Sequence, residues 1–346
     1  MPATVESASI AGDLLGIGIQ AAQLNAQLDA SIKRYNTTEE GRQELYQALR
    51  QKYGVNENPD YNAQLDRIMA NMTLGAAAVD PTINKKPYIY FVSAQDSINA
   101  ACSMGHVMMV NAGTFAKITN EDEIAAIVGH EMGHGQKDHA AKSSKKNLQK
   151  QVTAAVAGTA IGSKLGGGQL TSIIANVIVA HPFAHSDKKQ ESEADLLSFD
   201  YMVNTNYNPG ACAAVMQKFV EMSIGAKRSK IEAFFNPSDH PDSEKRRDAY
   251  VKKLYEYSGN HATAANGVVT VNKKTFITVA PSNGMSSAER SYFVLGNLAA
   301  AYHNGHNKSD ATVRNGTVYL GEQPIITPAE GDEDAQTIAA RLNEIK

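Results

Sequence analysis

Tryptophan does not occur in these 346 residues, and cysteine occurs only twice, as Cys102 and Cys212. The missing tryptophan by itself decides nothing. Two distant cysteines without C-x-x-C spacing exclude a metal site built from thiolates. They leave open one disulfide or two unrelated buried thiols. An excess of positive charge is also lacking: Lys and Arg number 33 against 36 Asp and Glu, for a net charge of −3. Nucleic-acid binding therefore has no electrostatic support. No segment reaches the roughly 18 unbroken apolar residues of a membrane span. The nearest are "VTAAVAGTAIG" from Val152 and "LTSIIANVIVA" from Leu170, joined by "SKLGGGQ". They read as an apolar helical hairpin packed in the core, with an interfacial membrane contact as the alternative. The opening "MPATVESASIAG" carries neither the basic nor the apolar region of a secretory signal. The expected compartment is the periplasm or cell envelope, with a signal removed before this numbering begins, and the cytoplasm is the alternative.

The length favours two domains, or one large domain with an appendage. Residues 9–80 carry apolar positions at three and four spacing and read as helices, with Gly54 as a stop. "PYIYFVSA" and "HVMMVNAG" read as short strands. "TNEDEIAAIVGHEMGHGQKDHAAK" is a helix capped by Thr119 or Asn120, with Glu121, Asp122 and Glu123 at its positive end. Two further amphipathic helices follow, around "ESEAD" and from Asn208 to Gly225. After Tyr257, "SGNHATAANG" looks like a linker. Beyond it lie a strand pair turning at Asn-Lys-Lys, a helix, a hairpin turning at Asn-Gly, and a closing helix. The expected division is a domain over 1–257, with a helical part over 1–80 and a core over 86–250, and a small α+β domain over 268–346. No internal repeat is evident.

The chemistry centres on His130-Glu131-Met132-Gly133-His134. Residues four apart share a helix face, so the two histidines can bind one ion. Glu131 is turned about 100° from His130. It can reach a water held by that ion and act as general base. A chance H-E-x-x-H is expected in roughly one or two of a hundred such sequences. The apolar run before His130 argues for a buried helix, and Gly129 and Gly133 permit close approach of another element. His139 lies five residues past His134, about 140° round an uninterrupted helix, off the ligand face. A third ligand must come from elsewhere. In "ESEAD", Glu191 and Asp195 share a face; one can bind the ion while the other fixes a ligand histidine. Glu193 points away and is expected to be solvated.

Four stretches occur in order: "SINAACSMGHVMMVNAGTF", "EDEIAAIVGHEMGHGQKDH", "ESEAD" and "HPDSEKR". This order resembles the zinc metallopeptidases of the HtpX-like and CaaX-prenyl-protease type, closest in kind to soluble periplasmic BepA-like members. The likeness runs from about Tyr88 to Tyr250. It implies a predominantly helical α+β, zincin-like domain with a short sheet over the active-site helix. It implies one zinc ion on His130, His134 and Glu191, with Glu131 as catalytic base and Asp195 supporting a ligand. It further implies that His240 stabilises the oxyanion or blocks the open position, and that Arg246 orders the loop before it. Asn99, Ala100, His106 and Met108 would border the substrate cleft, where an extended peptide can pair with a strand. Asp138 departs from the pattern, since the family often has Arg there. The implied function is endoproteolysis of unfolded or misassembled envelope proteins, with a latent zinc-fold chaperone or scaffold as the alternative. The expected partner is a polypeptide substrate, with no nucleic acid and a peripheral membrane or envelope-complex contact left open.

Overall fold

A computed structural model describes residues 22–157, 188–225 and 243–346 of the chain. Most of the apolar hairpin expected over 152–180, and His240, lie outside the described residues. Three helices open the fold: α1 (22–37), α2 (Glu39–Tyr53) and α3 (Pro59–Val79). Each boundary has a local cause. The Thr38 side chain accepts from the Gly41 N–H, Gly54 at φ 70 ends α2, and Asn58 caps α3 just before Pro59.

A three-stranded sheet follows: β1 (Ile89–Ser93), β2 (Ala100–Ser103) and β3 (Val107–Asn111). β3 is central, parallel to β1 and antiparallel to β2, so β2 forms an edge. Side chains alternate across the sheet. Phe91, Ala101, Val107 and Met109 pack with Leu24, Leu28, Leu45 and Leu49 on one face. Val92, Ala100, Cys102, Met108 and Val110 join the main core on the other. Cys102 and Cys212 are both buried free thiols, so the disulfide alternative falls.

The short α4 (Ala112–Lys117) leads to α5 (Glu121–Gln136), capped by Asn120, whose side chain accepts from the Asp122 N–H. α6 (His139–Ala157), α7 (Lys188–Met202), α8 (Ala211–Gly225) and α9 (Ser243–Tyr257) complete this part. α5 packs principally on α7, and α8 on α9. Among the described residues no helix is long and apolar enough to cross a membrane.

The expected linker after Tyr257 is in fact a strand. β4 (Ala262–Ala265) pairs with β5 (Val268–Val271), which pairs with β6 (Lys274–Thr278), and α10 (Ser287–His303) follows. Alanine is a poor strand former, which hides β4 in the sequence. Then β7 (Ala311–Arg314), β8 (Thr317–Leu320), β9 (Gln323–Ile326) and α11 (Ala335–Ile345) repeat the same order. The match extends to register and sequence. Ala262 pairs with Val271 as Ala311 pairs with Leu320. The register shifts at Val269/Thr270 and again at Val318/Tyr319. Ala262, Thr263, Asn266, Gly267, Val269 and Ile277 recur as Ala311, Thr312, Asn315, Gly316, Val318 and Ile326. Both Asn-Gly turns have positive φ, at 51 and 84 in the first and 48 and 80 in the second. The C-terminal unit is therefore an internal duplication, which corrects the expectation of no repeat.

The two halves embrace. α10 packs on β4 and β5 but also on β9, while α11 packs on β7 and β8 but also on β6. Asn297 of α10 donates to the Ile325 carbonyl at 3.0 Å, and Arg341 of α11 donates to the Phe276 carbonyl at 2.9 Å. The unit joins the rest of the molecule through α10, which packs on α8 and α9, and through β4, which packs on α9. Asn208 donates to the Phe293 carbonyl at 2.9 Å. Lys218 lies 3.5 Å from the Glu123 carboxylate on α5 and 3.1 Å from Glu289 on α10.

Candidate metal centre

His130 and His134 lie on the buried face of α5, one helical turn apart, with their Nε2 atoms separated by 3.0 Å. Glu191 reaches them from α7: its Oε2 is 3.3 Å from His130 Nε2 and its Oε1 is 3.3 Å from His134 Nε2. In a tetrahedral zinc site with bonds of about 2.0–2.1 Å, donor atoms sit about 3.3 Å apart. The three side chains therefore have the spacing and the donor chemistry, two imidazoles and a carboxylate, to hold one such ion. Two glycines create this closeness. A Cβ on Gly133 would lie 3.0 Å from the Ala194 backbone, and one on Gly129 would lie 2.6 Å from Met72 Cε and 3.0 Å from Ser198 Oγ. Without side chains at those positions, α7 presses against α5, and Ser198 donates to the Ala126 carbonyl at 2.9 Å.

Each imidazole has its own support. His130 Nδ1 is 3.0 Å from Asp195 Oδ1. Asp195 in turn accepts two bonds from Arg246, at 2.8 and 2.6 Å, and one from the Tyr250 hydroxyl at 2.8 Å. Burial opposes the Asp195 charge, but Arg246 and His130 overcome it and hold the carboxyl below the usual range. Arg246, expected to support the site and to order the loop before it, clamps Asp195 and also lies 3.7 Å from Glu191. Arg246 and Tyr250 are one turn apart on α9. That spacing was readable, but the partner across the fold was not.

His134 is held differently. Burial pushes its pKa down to about 4, so the ring is neutral and able to donate a lone pair to a metal. Its Nδ1 lies 2.8 Å from His139 Nδ1, and His139 Nε2 lies 3.1 Å from Glu193 Oε2. Two expectations are corrected here. His139 does not stay off the cluster, because α5 ends at Gln136 and Asp138, at φ 50, turns the chain back. Glu193 is not merely solvated, because it meets that returning ring.

Glu131 accepts the Cys102 backbone N–H at 3.1 Å, so it points at the edge strand β2. Burial lifts its carboxyl to about 7, against the nearby His130, which lowers it. Among the expected cleft residues, Ala100 sits on β2 in the same alternate set as Cys102. Asn99 has both backbone groups in use: its N–H donates to Thr114 Oγ1 at 2.9 Å and its carbonyl accepts from Asn111 at 2.7 Å. His106 is buried, stacked on Tyr88 and bonded to the Lys86 carbonyl at 2.7 Å. Met108 lies wholly buried on the central strand. All four side chains are buried, and of the four residues only Ala100 lies on the edge strand β2.

The sequence of this chain is similar to those of known proteins. Residues 59–253, more than half of the chain, match the description "Peptidase family M48". The chain belongs to peptidase family M48. Metalloprotease LoiP of Escherichia coli is 28% identical over 237 residues, covering 67% of this chain and 84% of LoiP. The mitochondrial metalloendopeptidase OMA1 of Arabidopsis thaliana is 24% identical over 149 residues, 43% of this chain and 28% of OMA1. The beta-barrel assembly-enhancing protease of E. coli is 23% identical over 152 residues, 42% of this chain and 30% of that protease. The chain thus spans most of LoiP but less than a third of the other two. M48 members are zinc metallopeptidases, so this protein is a zinc metalloendopeptidase, with a helical α+β zincin-like domain and a metal site available at His130, His134 and Glu191.

Proposed function

We propose that one zinc ion is held by His130, His134 and Glu191, and that Glu131 is the general base of peptide hydrolysis. The observation that carries this reading is the close spacing of the three donors, 3.0, 3.3 and 3.3 Å, with Glu131 adjacent to His130 on the same helix. When bound there, zinc acidifies a water and polarises the scissile carbonyl. Glu131 takes the proton of the attacking water and returns it to the leaving amine. Asp195 keeps the His130 ring in register, and Arg246 and Tyr250 keep Asp195 charged and in place. An extended substrate would lie antiparallel along the edge of β2, near Ala100. Such pairing reads backbone rather than sequence, which favours unfolded segments. The likeness to a protease named for β-barrel assembly supports an envelope or periplasmic setting and misassembled envelope proteins as substrates.

The test is hydrolysis of unfolded casein by the zinc-loaded protein, with and without chelator, beside Glu131→Gln. Cleavage is expected to vanish with chelator and to fall at least a thousandfold in the variant. Bound zinc without turnover in the parent protein would instead favour the scaffold reading. Cleavage unchanged in Glu131→Gln would overturn the assignment of the base.

A further inference from the structure

Two ligand histidines leave α5 on one face, and their outer nitrogens meet different chemistry. His130 Nδ1 faces a carboxylate directly, at 3.0 Å. Among the described residues His134 Nδ1 faces a second imidazole, at 2.8 Å, rather than a carboxylate, and the carboxylate of Glu193 stands one ring further out, at 3.1 Å. We propose that His139, backed by Glu193, is the positioning residue that fixes the ring orientation and tautomer of His134.

The inference rests on His134 being a ligand, and from there the proton positions follow one by one. His134 Nε2 points at His130 Nε2 and at Glu191, 3.0 and 3.3 Å away, so Nε2 offers the lone pair. The single proton of a neutral ring is then on Nδ1. That N–H donates to His139 Nδ1, which must present its own lone pair. The His139 proton is therefore on Nε2 and donates to Glu193. Both nitrogens of His139 are spent in this way, which excludes it as a metal ligand. The ring is 2% exposed and has little room to choose another orientation. The backbone is arranged to deliver it: Asp138 adopts φ 50, its N–H donates to the Gly135 carbonyl at 3.0 Å, and α6 starts at His139 itself. A left-handed residue that is not glycine is an uncommon cost, and here it places one ring against another.

Supports of this kind raise metal affinity by about 10–100-fold, and the two nitrogens of His139 can be separated by substitution. Asparagine places its Oδ1 where Nδ1 stood and keeps the acceptor for His134. Glutamine and leucine do not. Zinc affinity is measured by chelator competition for the parent, His139→Asn, His139→Gln, His139→Leu and His134→Ala, with the visible spectrum of the cobalt-loaded forms as a second readout. Thermal unfolding of each metal-free protein registers any general loss of structure. The expected result is about a 10–100-fold loss for His139→Gln and His139→Leu, near-parent affinity and spectrum for His139→Asn, and the largest loss for His134→Ala. Equal affinity of the Asn and Gln variants would overturn the proposal, because only a positioning role tells the two amides apart. Parent-like affinity in His139→Leu would overturn it as well. Undiminished affinity in His134→Ala would show instead that the ligand assignment beneath it had failed.

Discussion

The catalytic part and the C-terminal unit solve burial in opposite ways. Around α5 the interior is crowded with ionisable groups: His130, His134, Glu191, Arg246 and Glu123 are all buried, each against a named partner. In the C-terminal unit the interior of each repeat is largely apolar, with Val269, Val271 and Ile277 in one and Val318, Leu320 and Ile326 in the other, although Arg290 and Asp332 form a buried ion pair at 2.8 Å. Polar residues there serve mostly turns, caps and strand ends. A charged interior is specific, because each group fits only its partner, and nothing in it can be duplicated without a second site. An apolar interior of aliphatic residues tolerates being copied, and here it has been.

Breaking the charged side should give the largest effect. Arg246→Met leaves Asp195 buried without its bidentate partner, and removing one member of a buried pair costs about 3–5 kcal/mol. Urea unfolding of the metal-free protein checks the figure, and zinc affinity should fall with it. A loss below about 1 kcal/mol would mean that the pair behaves like a surface one.

Glu123 offers a pH test of the same comparison. It is buried on α5, facing Lys218, Glu289 and Asp122, and burial lifts its pKa to about 7 despite Lys218. The unfolded carboxyl titrates near the ordinary 4.5. The folded state therefore holds a proton that the unfolded state has released between those values. The stability this group contributes is full below about 4.5 and is lost as pH rises through about 7, on the order of 3 kcal/mol in all. Glu123→Gln should flatten that part of the stability profile. An unchanged slope would assign the pH dependence to another group.

The smallest effect sharpens the repeat. Gly267 and Gly316 occupy equivalent turns with φ 84 and 80. A Cβ on Gly316 meets nothing within 4 Å, whereas one on Gly267 would fall 2.0 Å from Ser287 Oγ. Gly316→Ala should cost about 1–2 kcal/mol from the backbone alone, and Gly267→Ala more, because Ser287 must also give up its bond to the Val279 carbonyl. Equal losses by thermal unfolding would mean that Ser287 moves aside freely.

What could be read from the sequence follows from these same contrasts. Helix period brought His130 to His134 and Glu191 to Asp195, because each pair lies within one unbroken helix. The glycines at 129 and 133 announced a close neighbour, and α7 is that neighbour. The same arithmetic misled at His139, since a period holds only while the helix does, and the helix ends at Gln136. The partner of Glu193 is hidden for the same reason, because His139 opens the next helix. Tyr250 and Arg246 share a face on α9, but no local rule names Asp195 as the residue they meet. The repeat is masked in the sequence because Thr270 is answered by Tyr319 and Thr275 by Pro324, and because α10 is longer than α11.

The crossed packing of the two repeats has a mechanical consequence. α10 covers β9 and α11 covers β6, so neither half owns a complete core. The connection over 304–310 is then not what keeps them together. A single cut there should leave two fragments that co-migrate under native conditions and part only in denaturant, as a clasp stays shut when its thread is snipped.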